Sequence, residues 1–350
     1  MIRVGIAGLG FMGMIHYLAY QRVPGVRVAA ICSRDRKKLA GDWRTIEGNF
    51  GPPGTIMDVE GVDRYESYDG MLANSKLDMI DVCLPPAMHC GASVAAFNVG
   101  KHVFCEKPIS LSTREAQTML KASVDTGRLF HIGHVLPFFP EYLWALHAAR
   151  TNRYGKLIGG RFQRSIADPK WLPNYFDLKS TGGPLLDLLV HDAHFIRLLY
   201  GMPRTLFSRG HMHHRKTEVP EFVETQFVFD DSSQVVTAGG GVIRQSGRAF
   251  SQSFEIRFER ATLAYDFAVI DGLPRQIVPL TVYEAKGKVT VPKLASGDPM
   301  DAFVREIQEV VLQVKRNKTS SILGAGSAAD AQILCRRQSQ SIKSGKLVRV

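Results

Sequence analysis

The sequence predicts two domains: a doubly wound parallel α/β domain, then an α+β domain with a large, mainly antiparallel open sheet. Three observations carry this. Gly8-Leu9-Gly10-Phe11-Met12-Gly13 follows directly on an alternating apolar strand at the N-terminus. Strand and helix patterns then alternate as far as Gly133, the rhythm of a parallel sheet. Beyond His134 strand follows strand, several of them joined by short polar turns such as Asp230-Asp231-Ser232-Ser233.

The length agrees. At 350 residues the chain exceeds one average core. We place the boundary near His134, with residues 1–133 as a dinucleotide-binding domain and residues 134–350 as an α+β domain, to which the resemblance given below assigns substrate binding and oligomerisation. Composition is that of an ordinary globular protein, 45% hydrophobic and 22% charged. The five cysteines are odd in number and sit mostly in apolar strands, which suits free thiols in a reducing cytoplasm. None has metal-ligand spacing, and no metal is expected. No apolar run approaches the ~20 residues that span a bilayer. Met1 leads into a strand without a basic, then apolar, leader. The formal charge of +11 gathers around Arg34–Lys38 and in the C-terminal tail, without interleaved aromatics, so nucleic acid is not an expected partner.

Taken in order, Ile2–Ala7 is the first strand. Gly8 permits a tight turn, Gly10 lets a pyrophosphate approach the backbone, and Gly13 lets helix and strand pack closely. With Phe11 and Met12 these are the expected cofactor contacts. The second strand, Val26–Cys32, ends at Ser33-Arg34, where an NAD site usually has an acid for the ribose hydroxyls. A hydroxyl, a guanidinium and Lys38 nearby suit a 2′-phosphate instead, so NADP is favoured over NAD. Residues 48–61 form an excursion. A buried strand runs from Leu77 to Leu84 and stops at Pro85-Pro86, and Leu84, Pro85 and His89 are further candidates for cofactor contact. Val103-Phe104-Cys105 is another buried strand, and Glu106, Lys107 and Pro108 follow it at once. In an open parallel sheet that position edges the ligand crevice. A helix capped by Ser112 or Thr113 and a strand over 129–133 complete the domain.

In the second domain one helix stands apart. Gly182-Gly183-Pro184 opens it and Gly201 closes it. Its body is apolar almost throughout, yet Asp187, His191 and His194 fall at i, i+4 and i+7 and so share a face. A polar stripe on a buried helix is costly unless it is paired or faces a cavity. The cluster from His211 to Lys216 reads as a solvated loop.

The glycine turn, Leu84-Pro85-Pro86 with His89, Glu106-Lys107-Pro108, and Gly-Gly-Pro-Leu-Leu-Asp-x-x-x-His together resemble the Gfo/Idh/MocA family of glucose–fructose oxidoreductase and inositol dehydrogenase relatives. The likeness runs through the whole chain in order. It implies that Lys107, Asp187 and His191 are catalytic and that Glu106 and Lys107 also meet the cofactor. It further implies that the Lys107–Pro108 bond is cis, and that the open sheet makes homodimers or homotetramers. The activity implied is hydride transfer between NAD(P) and a secondary alcohol of a sugar, polyol or related compound. His191 would take the hydroxyl proton, Lys107 would steady the oxygen, and Asp187 would orient them. The family also contains glycosidases that use transient redox chemistry, and ligand-sensing regulatory members are conceivable. His134, Arg164, Trp171 and His194 are candidates for substrate contact. The chain departs from the family pattern in having His194 where many members carry Asp. It also has His134-Val135-Leu136 where many have Asn-Arg or Met-Arg.

Overall fold

The computed structural model describes the chain from Met1 to Val350 except Asn49, Phe50, Trp171, Pro173, His214, Arg215, Ser232, Ser296 and Gly297, and describes only the backbone of Lys216 and Thr217. Strands and helices alternate first: β1 (Ile2–Ala7), α1 (Phe11–Tyr20), β2 (Val26–Cys32), α2 (Arg36–Leu39), β3 (Asp63–Tyr65), α3 (Tyr68–Leu72), β4 (Met79–Val82), α4 (His89–Asn98), β5 (His102–Glu106), α5 (Thr113–Thr126) and β6 (Phe130–Gly133). The sheet has the order β3-β2-β1-β4-β5-β6, and every pairing is parallel. Strand order reverses between β1 and β4, the switch point at which such sheets open a crevice beyond their carboxyl ends.

Parallel strands need cover on both faces, which explains their continuous apolar character. One face packs Val4, Ile6 and Met79 with Met14 and Ile15 of α1. The other packs Ile80, Val82 and Val103 with Ala96, Phe97 and Met119. The predicted cap of α5 is present: the Ser112 hydroxyl accepts from Glu115 N–H at 3.2 Å and donates to the Glu115 carboxylate at 3.0 Å. Beyond α2, Trp43 is fully buried and donates its indole N–H to Lys38 O at 2.8 Å.

The remaining elements are α6 (Pro140–Arg150), β7 (Leu157–Ala167), α7 (Val190–Tyr200), β8 (Thr205–His213), β9 (Lys216–Val228), β10 (Val235–Ile243), β11 (Arg248–Phe258), β12 (Ala261–Ile270), β13 (Leu273–Glu284), β14 (Val289–Thr290), α8 (Pro299–Arg316), α9 (Ala325–Ser344) and β15 (Val348–Arg349). Among the described residues nine strands form one sheet, β14-β13-β12-β11-β7-β10-β9-β8-β15, in which β7 and β10 are the single parallel pair. At Gly240 a Cβ would stand 1.8 Å from Arg164 O, so this pairing requires glycine.

Two expectations are corrected here. The compact units do not follow a single cut at His134: one is Met1–Phe139 with Ser296–Ala329, the other Pro140–Ala295 with Asp330–Val350. The reason is α8. Its apolar stripe, Met300, Phe303, Val304, Ile307 and Val310, packs in the core of the first unit with α1. An amphipathic pattern announces that a helix needs a partner without saying which. The supposed loop from His211 to Lys216 is also mostly strand. His211–His213 end β8, and the His213 ring lies 4.2 Å from that of Phe176. The pairing of β8 with β9 overrides the local polarity. Among the described residues no helix is long and apolar enough to cross a membrane.

α8 also carries an acid on its apolar stripe. Glu306 is fully buried, and neither of its oxygens has a hydrogen-bond partner. Burial first, then the nearby Glu106, push its pKa well above the usual carboxylate range, against His16, which lowers it. A carboxyl that holds its proton longer when folded loses stability as pH rises from the unfolded pKa through the folded one. Glu306→Gln should therefore raise the melting temperature, by roughly 2–4 °C for each kcal/mol recovered. The gain should be small near pH 5 and grow toward pH 9, as thermal unfolding followed across pH will show. A gain that is flat with pH would sink this reading.

Candidate active site

The first unit presents its candidate residues at the carboxyl ends of β1, β2, β4 and β5. Gly8 takes φ 99°, and a Cβ there would lie 2.6 Å from Cys83 O. A Cβ on Gly13 would lie 2.0 Å from Gly8 O, so the turn and the start of α1 are pressed together. Gly10 differs: nothing lies within 4 Å of where its Cβ would stand. That opening, at a helix N-terminus, is the cradle a pyrophosphate needs. Phe11 and Met12, both half-buried, continue it into α1.

At the end of β2 the Asp35 carboxylate turns away to cap α2, accepting from Lys37 N–H at 2.9 Å and Lys38 N–H at 3.3 Å. Ser33 Oγ accepts from Asp35 N–H at 3.1 Å. Arg34 is exposed and Lys38 half-buried beside it. The one acid of this loop is thus engaged with backbone, and the side chains left outward are a hydroxyl and cations.

His89 is not an outward cofactor contact. It is fully buried, with Nδ1 2.8 Å from Pro108 O and Nε2 2.8 Å from Leu84 O. Burial lowers its pKa against the pull of those two carbonyls. The ring ties the β4 loop, with Leu84 half-buried and Pro85 exposed, to the Lys107 loop. The Lys107–Pro108 bond is cis, and Lys107 is half-buried.

Glu106 also turns inward. It is 6% exposed, and its Oε1 lies 3.0 Å from Nε2 of His16. The approach is off the axis of the ring N–H, so it is a charge contact rather than an aligned hydrogen bond. His16 Nδ1 meets Asp81 Oδ2 at 2.9 Å, and the ring stacks on Phe104 at 5.2 Å. Burial opposes a charge on His16, but Asp81 and then Cys83 outweigh it, and its pKa stands well above that of ordinary imidazole. Sequence reading missed His16, Asp81 and Glu306. The available signal was an acid in the middle of an apolar strand and another on an apolar helix face, each costly unless met by a partner.

In the second unit the run Leu185–Leu189 is a π-helical turn that leads into α7. Such widened turns often mark functional positions. Asp187 lies within it and His191 just beyond, and both are half-buried while the other residues of Leu185–Ile196 are fully buried. His194 does not share their exposure. It is 0% exposed, and His134 of the first unit is 1% exposed, so neither expected substrate contact faces outward. The fully buried Tyr175 faces Asp187. Burial, then that carboxylate, push the phenol's pKa well up. Arg164 is corrected too: its guanidinium forks onto Asp192 at 2.6 and 3.1 Å and donates to Gln252 at 2.9 Å. At 4% exposed it is a core cation satisfied by a core acid. Trp171 lies outside the described residues.

Among the described residues one trio, His16, Asp81 and Cys83, could bring three metal-ligand atoms together. Those atoms already bond to each other, with Cys83 Sγ donating to Asp81 Oδ1 at 3.3 Å.

Residues 2–134 match the oxidoreductase family with an NAD-binding Rossmann fold, and residues 142–264 match the GFO/IDH/MocA C-terminal domain. An uncharacterised oxidoreductase of Rhizobium meliloti is 27% identical over 59% of this chain, and the match spans 59% of that protein's length. Inositol 2-dehydrogenase 2 of Saccharopolyspora erythraea is 24% identical over 78% of each chain. Levoglucosan dehydrogenase, solved with NADH and levoglucosan, has the same fold, with a TM-score of 0.80 at 18% identity over 100% of this chain and 99% of that one. With residues 2–134 and 142–264 matched in order, this chain belongs to the Gfo/Idh/MocA oxidoreductase family.

Proposed function

We propose that the chain is an NADP-preferring dehydrogenase that oxidises a secondary alcohol of a sugar, polyol or related compound. The observation that carries this is Lys107, half-buried at the end of β5 in Glu106-Lys107-Pro108, in the same unit as the open glycine cradle at Gly10. Inositol and levoglucosan dehydrogenases among the similar proteins support a polyhydroxylated substrate. The NADP preference is supported by Ser33 and Arg34 at the end of β2, and by Asp35 being committed to the cap of α2. A bound nicotinamide supplies the hydride acceptor.

The protein's own work is to hold the alcohol and manage its proton. Lys107 donates to the hydroxyl oxygen and offsets the negative charge that grows there. Neutral His191 accepts the proton, and Asp187 orients the group and favours the imidazolium that results. Tyr175 is buried near Asp187, and that carboxylate helps to push the phenol's pKa up. The enzyme works in the cytoplasm as a homodimer or homotetramer, with the exposed apolar residues Leu273, Ile277 and Val289 of the large sheet available for assembly.

Three measurements test this. Mixing protein, NADP or NAD and a polyol panel should give a rise at 340 nm, and Lys107→Met should cut kcat at least about a hundredfold with dinucleotide affinity within a few-fold. Collapse of dinucleotide binding in that variant would move Lys107 out of catalysis. Arg34→Ala should weaken NADP about ten- to a hundredfold, the worth of one charge-assisted bond, and leave NAD nearly unchanged. Fluorescence titration of both cofactors decides it, and equal wild-type affinities would refute the preference. For His191, kcat/KM should fall toward acid pH, because a protonated imidazole cannot accept a proton. His191→Asn should remove that limb and leave a slow, flatter profile. An unchanged acid limb in the folded variant would assign the proton to another group.

A further inference from the structure

The cluster beneath the Lys107 loop has a use beyond filling the core. Its members come from four elements: His16 and Tyr20 on α1, Asp81 with Cys83 at the end of β4, Glu106 at the end of β5, and Glu306 on α8. His16 is 0% exposed and lies between two carboxylates, Asp81 at 2.9 Å on one nitrogen and Glu106 at 3.0 Å on the other. It therefore spans the carboxyl ends of two neighbouring strands. Glu106 uses both of its oxygens: Oε1 meets His16, and Oε2 accepts from Lys107 N–H at 3.1 Å. Space is kept for that carboxylate, since a Cβ on Gly133 would stand 3.0 Å from Oε1. Phe104 stacks on one side of the imidazole, and Phe303 tilts against it at 6.3 Å.

We propose that His16 is a positioning residue for Lys107: bound to Asp81, it fixes the Glu106 carboxylate, which in turn holds the backbone N–H from which the Lys107 side chain departs. The consequence for turnover rests on the role given to Lys107 above, whereas the consequence for the loop does not. A neutral or missing imidazole leaves Glu106 as a buried carboxylate without its cation. The carboxylate then turns away from the unpaired position, and the Lys107 backbone loses its acceptor. The raised pKa of His16 agrees with a cation between Asp81 and Glu106, and the raised pKa of Glu306 with a neutral acid beside them. A metal on His16, Asp81 and Cys83 would have to displace the bonds that set this arrangement.

The test uses the full-length chain with His16→Gln, Glu106→Gln and the double variant. The first readout is amide hydrogen exchange of the peptide carrying Lys107, with peptides from β1 and β6 of the same unit as the internal reference. Protection of the Lys107 amide should fall about tenfold or more in each single variant, with the reference peptides little changed. The second readout is kcat with the dinucleotide saturating. Each single variant should lose a similar factor, dinucleotide affinity should hold within a few-fold, and the double variant should lose no more than either single, because both act through one contact. A histidine with a merely structural role predicts a uniform loss of protection across the unit and losses that multiply in the double variant. Either of those outcomes, or unchanged Lys107 protection in folded His16→Gln, overturns the proposal. If His16→Gln does not fold, Glu106→Gln with Asp81→Asn makes the same comparison. Wild-type protein without turnover on any polyol would reject the dehydrogenase reading, and the exchange data would still decide the role of His16.

Discussion

A charge taken out of water has to be met by another, and each unit is organised around one such meeting. In the first, His16 lies between Asp81 and Glu106 at the carboxyl ends of β4 and β5. In the second, Arg164 of β7 forks onto Asp192 of α7. Breaking a buried pair strands the survivor and costs about 3–5 kcal/mol, much more than an exposed pair is worth. These contacts act less as glue than as register marks: the strand ends in one unit, and a helix on its sheet in the other, have one arrangement that leaves no charge bare.

The candidate cofactor site follows from the order of the parallel sheet. Because strand order reverses between β1 and β4, the loops after those strands part and leave room beyond the sheet. Gly8 and Gly13 allow the close contacts beneath that space, and Gly10 leaves it open. His89 then ties the β4 loop to Pro108 by its two carbonyl contacts. The loops are thus tied from below by the buried His89, and Lys107 between them is half-buried. Bracing of this kind serves catalysis because a misplacement of about 1 Å can cost a hundredfold in rate.

The second unit shows a related economy. Leu185–Ile196 buries every side chain except Asp187 and His191, and the π-turn adds a residue where Asp187 emerges. Local irregularity in a helix that is otherwise well packed is how a fold re-aims one side chain without disturbing the rest. Arg164, His134 and His194 have the polar chemistry of substrate contacts, but all three are buried, and for Arg164 the partners are core residues. Residue type made them candidates, and all three are buried in the fold.

The sequence alone determined what depends on neighbours along the chain. The glycine turn, the capped helix at Ser112, the apolar strands of a parallel sheet and the helix from Pro184 to Gly201 are all local patterns, set by backbone sterics, hydrogen-bond geometry and side-chain period. The Glu-Lys-Pro and Asp-x-x-x-His motifs are local patterns too, and the roles expected of them come from the family resemblance. What only the tertiary structure decided is partnership between residues far apart. That α8 returns to the first unit, that Asp192 and not a ligand meets Arg164, and that His16 meets Asp81 and Glu106 are contacts across 28 to 90 positions or more. The sequence shows that a buried acid needs a partner. Its identity is set by which strands and helices end at the same place in space.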